Sequence, residues 1–217
     1  MRKLAIVLAV WLVIAAGIGA FGCAEKASPT PEPTIPSNFT TYIDENELFS
    51  ISYPQDWEIP LSKLEEMKQA TIELLNSMNL NIPLDVMCYL FTAGQLTEGG
   101  ADPNLKITAY TLPADWPSLD AQVEGNIRGV EANVKDFHQF SRVKTTVGGK
   151  EAEIIEMLGS VEGTTNGITV KVDVHMLQMY IISGGNVWIV QCLTLAEKYG
   201  GFENTFHDIL RSFRVYK

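Results

Sequence analysis

Between Phe140 and Thr194 the chain cycles through strand-like runs and glycine turns, and that stretch limits the fold more than any other. Phe140–Val147, Glu151–Ser160, Ile168–Ile182 and Val187–Thr194 are rich in β-branched and aromatic residues. They are separated by Gly148-Gly149, Thr165-Asn166-Gly167 and Gly184-Gly185-Asn186. Two-residue turns with glycine join neighbouring antiparallel strands, whereas parallel strands need a crossover of a dozen residues or more. The stretch therefore predicts consecutive antiparallel hairpins. Phe49-Ser50-Ile51-Ser52-Tyr53 alternates with period two and reads as a further half-buried strand; Val86–Ala93 and Leu105–Leu112 add two more.

Helical spacing appears in three places. Ser62-Lys63-Leu64-Glu65 is a capping box, and Leu64, Met67, Thr71, Leu74 and Met78 continue one apolar stripe. Leu119, Val123, Ile127, Val130, Val134 and Phe137 form a second stripe, with Glu124–Arg128 and Glu131–Lys135 as i,i+4 pairs outside it. Phe202, Phe206 and Ile209 mark a last helix before Phe213-Arg214-Val215. The order of elements implies an α+β domain: a single antiparallel β-sheet flanked by helices.

The N-terminus is a separate problem. Arg2 and Lys3 precede an apolar run from Leu4 to Phe21, the charged and hydrophobic parts of a secretory signal. Small residues then lead into Cys23: Ala20, Gly22 and, less typically, the bulkier Phe21. This resembles the lipobox of bacterial lipoproteins, in which the cysteine thiol is lipidated before cleavage. An uncleaved membrane anchor and ordinary secretion are the other readings, and each exports the domain. Residues 1–22 are thus read as a signal, 23–41 as a linker rich in proline (Pro29, Pro31, Pro33, Pro36), and 42–217 as the folded domain. Proline at alternate positions favours an extended spacer of about 3.1 Å per residue. The chain carries 16 Lys+Arg against 26 Asp+Glu, a net charge of −10. Such a domain is repelled by an anionic leaflet and by nucleic acid, so attachment falls to the lipid, and nucleic acid is excluded as a partner.

Chemistry is sparse. Cys88 and Cys192 lie on strand-like runs and can be read as an exported disulfide or as two small buried hydrophobes. A disulfide would close a loop of about a hundred residues and add ~4–5 kcal/mol. His138, His175 and His207 lack metal-ligand spacing, and no nucleophile elbow or phosphate loop occurs. In Lys171-Val172-Asp173-Val174-His175 the polar residues alternate, which predicts a solvated strand face. Asp44-Glu45-Asn46-Glu47 offers oxygen ligands suited to calcium, without EF-hand spacing. Six methionines beyond Met1 fill core gaps or line an apolar pocket.

Several segments together resemble Mog1/PsbP-like domains. They are Phe49–Trp57 with its Tyr53-Pro54-Gln55-Asp56-Trp57, the helix before Phe137, Thr145-Thr146-Val147-Gly148-Gly149-Lys150-Glu151-Ala152, and Ser212-Phe213-Arg214-Val215. The resemblance implies an α/β/α sandwich with Tyr53, Pro54, Trp57, Trp188 and Phe213 in its core. The family includes the PsbP extrinsic subunit of photosystem II, a Ran-binding nuclear protein and many exported bacterial lipoproteins. Combined with the lipobox, it implies a non-catalytic envelope lipoprotein, without cofactor, that binds a protein partner or stabilises a membrane assembly. Carriage of a small apolar ligand or lipid is the alternative, and a photosystem-type extrinsic subunit with calcium is third.

The lipobox reading is tested by Cys23→Ser. The variant should accumulate as unprocessed precursor, and a fatty-acid analogue should label wild type alone. Normal cleavage and release of the variant would contradict it.

Overall fold

A computed structural model describes residues 34–59, 87–97, 100–112, 118–165 and 168–216. The signal, Cys23, the linker up to residue 33 and the Ser62–Met78 helix lie outside the described residues. The main sheet is six-stranded and antiparallel, in the order β3-β4-β8-β7-β6-β5. Its strands are β3 (Met87–Thr97), β4 (Gly100–Thr111), β5 (Lys135–Val147), β6 (Lys150–Thr165), β7 (Ile168–Ser183) and β8 (Asn186–Leu195). The four expected strands of the hairpin stretch are β5 to β8 in sequence order. Gly148 and Gly149 have φ of 57° and 75°, and Gly184 and Gly185 have 62° and 76°. Two successive left-handed residues are what a two-residue hairpin turn demands, which is why glycine is doubled at both places.

A second, smaller sheet accompanies the single one expected. β1 (Phe39–Ile43), β2 (Phe49–Pro54) and the two-residue β9 (Arg214–Val215) form a three-stranded sheet in the order β1-β2-β9. β1 begins three residues before Tyr42, inside the stretch read as linker. Its polar sequence is that of an outer strand: Thr41 pairs with Ser52 on β2, Oγ1 to Oγ 2.9 Å.

Helix α1 (Leu119–Asn133) covers one face of the main sheet, and α2 (Tyr199–Ser212) with the small sheet covers the other. Alternate residues of β7 accordingly enter different cores. Leu177, Met179 and Ile181 pack with Phe49, Phe206 and Phe213, while Val174, Met176 and Tyr180 pack with Val123, Val130 and Val134 of α1. Burial on both faces explains the near-continuous apolar run of β7 and β8. Gly159 on β6 lets α1 settle: a Cβ there would collide with Val134 Cγ1.

Three local expectations give way. α1 stops at Asn133, where the N–H of Val134 reaches Val130 O at 2.8 Å, and Asp136 takes φ 50° to start β5. Phe137 and Lys135 are therefore strand residues, and Glu131–Lys135 is not a helical pair. Glu124 bonds Arg142 of β5 instead of pairing with Arg128 along the helix. Arg142 also holds Asp120 at 2.7 Å and the buried Glu153, tying α1 to the sheet through one guanidinium. Finally, Cys192 is a free, fully buried thiol on β8. Cys88 sits on β3, with β4 between the two strands. Two strand spacings, about 9–10 Å, exceed the ~7 Å Cα limit for a bridge, so the Cys88–Cys192 disulfide is not formed.

The aromatic residues singled out above converge on the α2 side. Tyr53, Trp57, Trp188 and Phe213 are all buried there, and Pro54 ends β2 in a buried position. Trp57 meets Phe206 edge-on at 6.4 Å between ring centroids. Trp57→Ala should cost about 3–5 kcal/mol, read from denaturant melts of the full chain. An unchanged midpoint and slope would show that the ring contributes nothing to the core.

Candidate functional site

Across β7, β6 and the edge strand β5, the main sheet carries a row of side chains that reaches the solvent. The register sets His138 of β5 opposite Leu158 of β6, Leu158 opposite His175 of β7, and His175 opposite Thr194 of β8. β5 is an edge strand with two register breaks, one between Lys135 and His138 and one between Gln139 and Ser141. Phe140 is the extra residue of the second break. A bulge kinks its strand and re-aims a side chain, and here the phenyl ring comes to lie over His175. The two rings are nearly parallel, 5.4 Å apart at 6°.

His175 is sandwiched. Tyr199, the first residue of α2, stacks on its other face at 3.4 Å and 4°. His138 meets Phe140 edge-on at 4.5 Å. Below Tyr199 the contacts continue to Phe206 at 6.2 Å and on to Trp57. A line of six aromatic or imidazole rings therefore runs from the surface to the core. Phe140 is 51% exposed, whereas His175 and Tyr199 are each 8% exposed. Val143, three residues on, is 53% exposed, so the free end of the row is apolar.

This placement corrects the solvated face expected for His175. α2 covers that side of β7, so alternation of polar residues does not mean exposure here. The imidazole Nε2 lies 2.9 Å from Glu156 Oε1. Burial lowers the His175 pKa, and the carboxylates of Glu156 and Glu203 oppose it without cancelling it. The ring is thus neutral at pH 7 and stacks as a neutral aromatic. The Tyr199 hydroxyl is buried without a hydrogen bond of ordinary geometry. Burial, then the same two carboxylates, push its pKa far above the usual phenol range, so it remains a phenol. Burial likewise holds the Cys192 thiol protonated.

The other residues considered for ligands lie elsewhere. The Asp44 carboxylate accepts the backbone N–H groups of Asn46 at 3.0 Å and Leu48 at 3.3 Å, so it closes the β1–β2 turn instead of facing outward as a calcium ligand. Asp173, two residues before His175 on the same face of β7, accepts the Ser160 hydroxyl at 2.6 Å. Among the described residues, no group of three or more His, Cys, Asp and Glu is arranged to hold a metal ion. Met157, Met176 and Met179 fill the cores. No described helix is long and apolar enough to cross a membrane.

Sequence reasoning missed the stack. Its members come from an edge strand, an inner strand and a helix start, and no local spacing links them. A phenylalanine in the polar stretch His138-Gln139-Phe140-Ser141-Arg142 was the one available sign.

No protein-family model matches the chain, and no curated protein matches it by sequence. Among solved structures, it is similar to cyanobacterial PsbP (CyanoP) from Synechocystis sp. PCC 6803, with a TM-score of 0.51 at 12% identity. That match covers 92% of this chain and 99% of the other. It is also similar to the Ran-binding protein Mog1p of Saccharomyces cerevisiae, with a TM-score of 0.49 at 7% identity over 84% and 96% of the two chains. LpqN of Mycobacterium tuberculosis, described as involved in cell envelope biogenesis, matches with a TM-score of 0.42 at 16% identity over 82% and 91%. Identities this low speak to architecture. The chain has the PsbP/Mog1-like fold, an α+β domain of antiparallel strands with helices packed on them.

Proposed function

We propose that this protein is an exported, lipid-anchored binding module without catalytic activity, and that the β5 edge of its main sheet receives a protein partner. The observation that carries the proposal is Phe140: half exposed, on an edge strand, and backed by His175 and Tyr199. An aromatic ring held by a rigid stack has little motion to lose on binding, which favours it as an interface anchor. Val143 extends the apolar surface on the same strand. Lys135, Arg142 and Lys144 give this edge basic character in an otherwise acidic chain, although Asp120, Glu124 and Glu153 partly neutralise it. The neutral, buried His175 and the protonated Tyr199 fit a supporting role better than acid–base chemistry.

The lipobox at Cys23 supports anchoring outside the cytoplasm, and the proline-rich spacer would hold the domain off the membrane. The LpqN likeness is compatible with an envelope setting but is a likeness of fold. Carriage of an apolar ligand or lipid stands second, because both faces of the sheet are lined by adaptable methionines. A photosystem-type role with calcium rests on the fold alone, and the engaged Asp44 carboxylate counts against it.

A photo-crosslinking residue at position 140 of the membrane-bound full chain should yield a discrete protein adduct, while one at exposed Ile43 should not. Phe140→Ala should abolish capture of that partner with stability changed by less than about 1 kcal/mol, the range for an exposed position. A lipid adduct at 140 with no protein adduct would reverse the order of the two readings.

A further inference from the structure

The face of the main sheet that packs on α1 holds a polar row, and that row includes an amide nitrogen with nothing to donate to. Lys106 of β4 is opposite Gln191 of β8, which is opposite Gln178 of β7. All three are buried, at 5%, 4% and 2% exposure. The hydrogen bonds run in one direction. Tyr180 donates its hydroxyl to Gln178 Oε1 at 2.5 Å, and Gln178 Nε2 donates to Gln191 Oε1 at 2.7 Å. Gln191 Nε2 is left buried and without a partner. Lys106 stands opposite Gln191 on the neighbouring strand, and no carboxylate among the described residues pairs with it. Burial alone lowers its pKa to about 8, so at pH 7 the amine still carries a charge.

A buried lysine without a carboxylate partner, set opposite an unsatisfied amide, is costly, and apolar residues of similar size would serve stability better. We propose that Lys106 and Gln191 form the recognition floor of a carboxylate-binding site. The donor set fits that group. A carboxylate offers two oxygens, one for the ammonium and one for the amide, and its single negative charge balances the single positive one. A phosphate dianion would leave a buried excess of negative charge. Along β8 and β7 the row is bordered by Ile189, Leu193 and Met176, so the group attached to the carboxylate meets apolar surface. Tyr180 and Gln178 act as positioning residues: their hydrogen bonds hold the Gln191 amide oxygen toward Gln178 and leave its nitrogen free for a ligand. This site is independent of the β5 edge and stands whether or not that surface binds a protein.

The test is calorimetric titration of the purified full chain, in nonionic detergent, with hexanoate. Hexanol and chloride serve as probes lacking the carboxylate. Hexanoate should bind one-to-one and raise the melting temperature, and neither control should do so. Lys106→Met and Gln191→Leu should each weaken hexanoate binding roughly tenfold or more, as loss of a charge-assisted hydrogen bond does. Lys106→Met should also melt higher than wild type without ligand. If Lys106→Met does not fold, Gln191→Leu and the two control probes still decide the matter. No hexanoate binding, equal binding of hexanol, or undiminished binding by the folded variants would overturn the proposal.

Discussion

The architecture depends on an aromatic contact that joins three distant parts of the chain. Phe49 on β2, Trp188 on β8 and Phe213 after α2 form a triangle with centroid separations of 5.6, 5.8 and 5.9 Å. Hydrogen bonds alone would hold the chain ends weakly, since β9 pairs with β2 through two residues. The rings supply the apolar area that the short ladder lacks, and aromatic pairs of this kind add about 0.5–1.5 kcal/mol each beyond burial. Ser212 reinforces the joint. Its hydroxyl accepts the Ser52 N–H at 2.9 Å and donates to Ile209 O at 2.7 Å, which satisfies buried backbone at the end of α2.

Once that joint is made, the position of α2 follows, and with it the candidate site. The helix runs back from Phe213 and Phe206 to Tyr199 at its start, so the tyrosine ring arrives beneath His175. His175 in turn supports Phe140 at the sheet edge. The surface ring is therefore held by the same packing that closes the fold. The two faces of the sheet are used differently. The α2 face is almost wholly apolar until it reaches the edge, whereas the α1 face carries the Tyr180–Gln178–Gln191–Lys106 row and the Arg142 ion network.

Sequence showed clearly what is decided locally. The doubled glycines at 148–149 and 184–185 announced hairpins, because few other residues take two successive positive φ angles. The Tyr53-Pro54-Gln55-Asp56-Trp57 segment indicated a strand, a turn and an aromatic anchor in the right order. What stayed hidden depends on which surfaces meet. His175 has the alternation of a solvated strand and is buried only because α2 lies on it. Phe137 continued the stripe of α1 in spacing, but the chain leaves the helix at Val134. Phe140 owes its direction to a bulge that its residue type does not signal. Lys106 sits in a strand that alternates polar and apolar residues, a pattern that ordinarily leaves the polar face wet.

The proposed binding surface requires β5 to be an open edge of the main sheet. Native-state hydrogen exchange on the full chain tests this directly. Amides of Leu177–Tyr180 and Ile189–Cys192, in the two central strands, should exchange only through global unfolding. Amides of Ser141–Thr146 that do not face β6 should exchange with little protection. Protection of all β5 amides at the level of β7 would show that the edge is already covered, and would contradict its role as a binding surface.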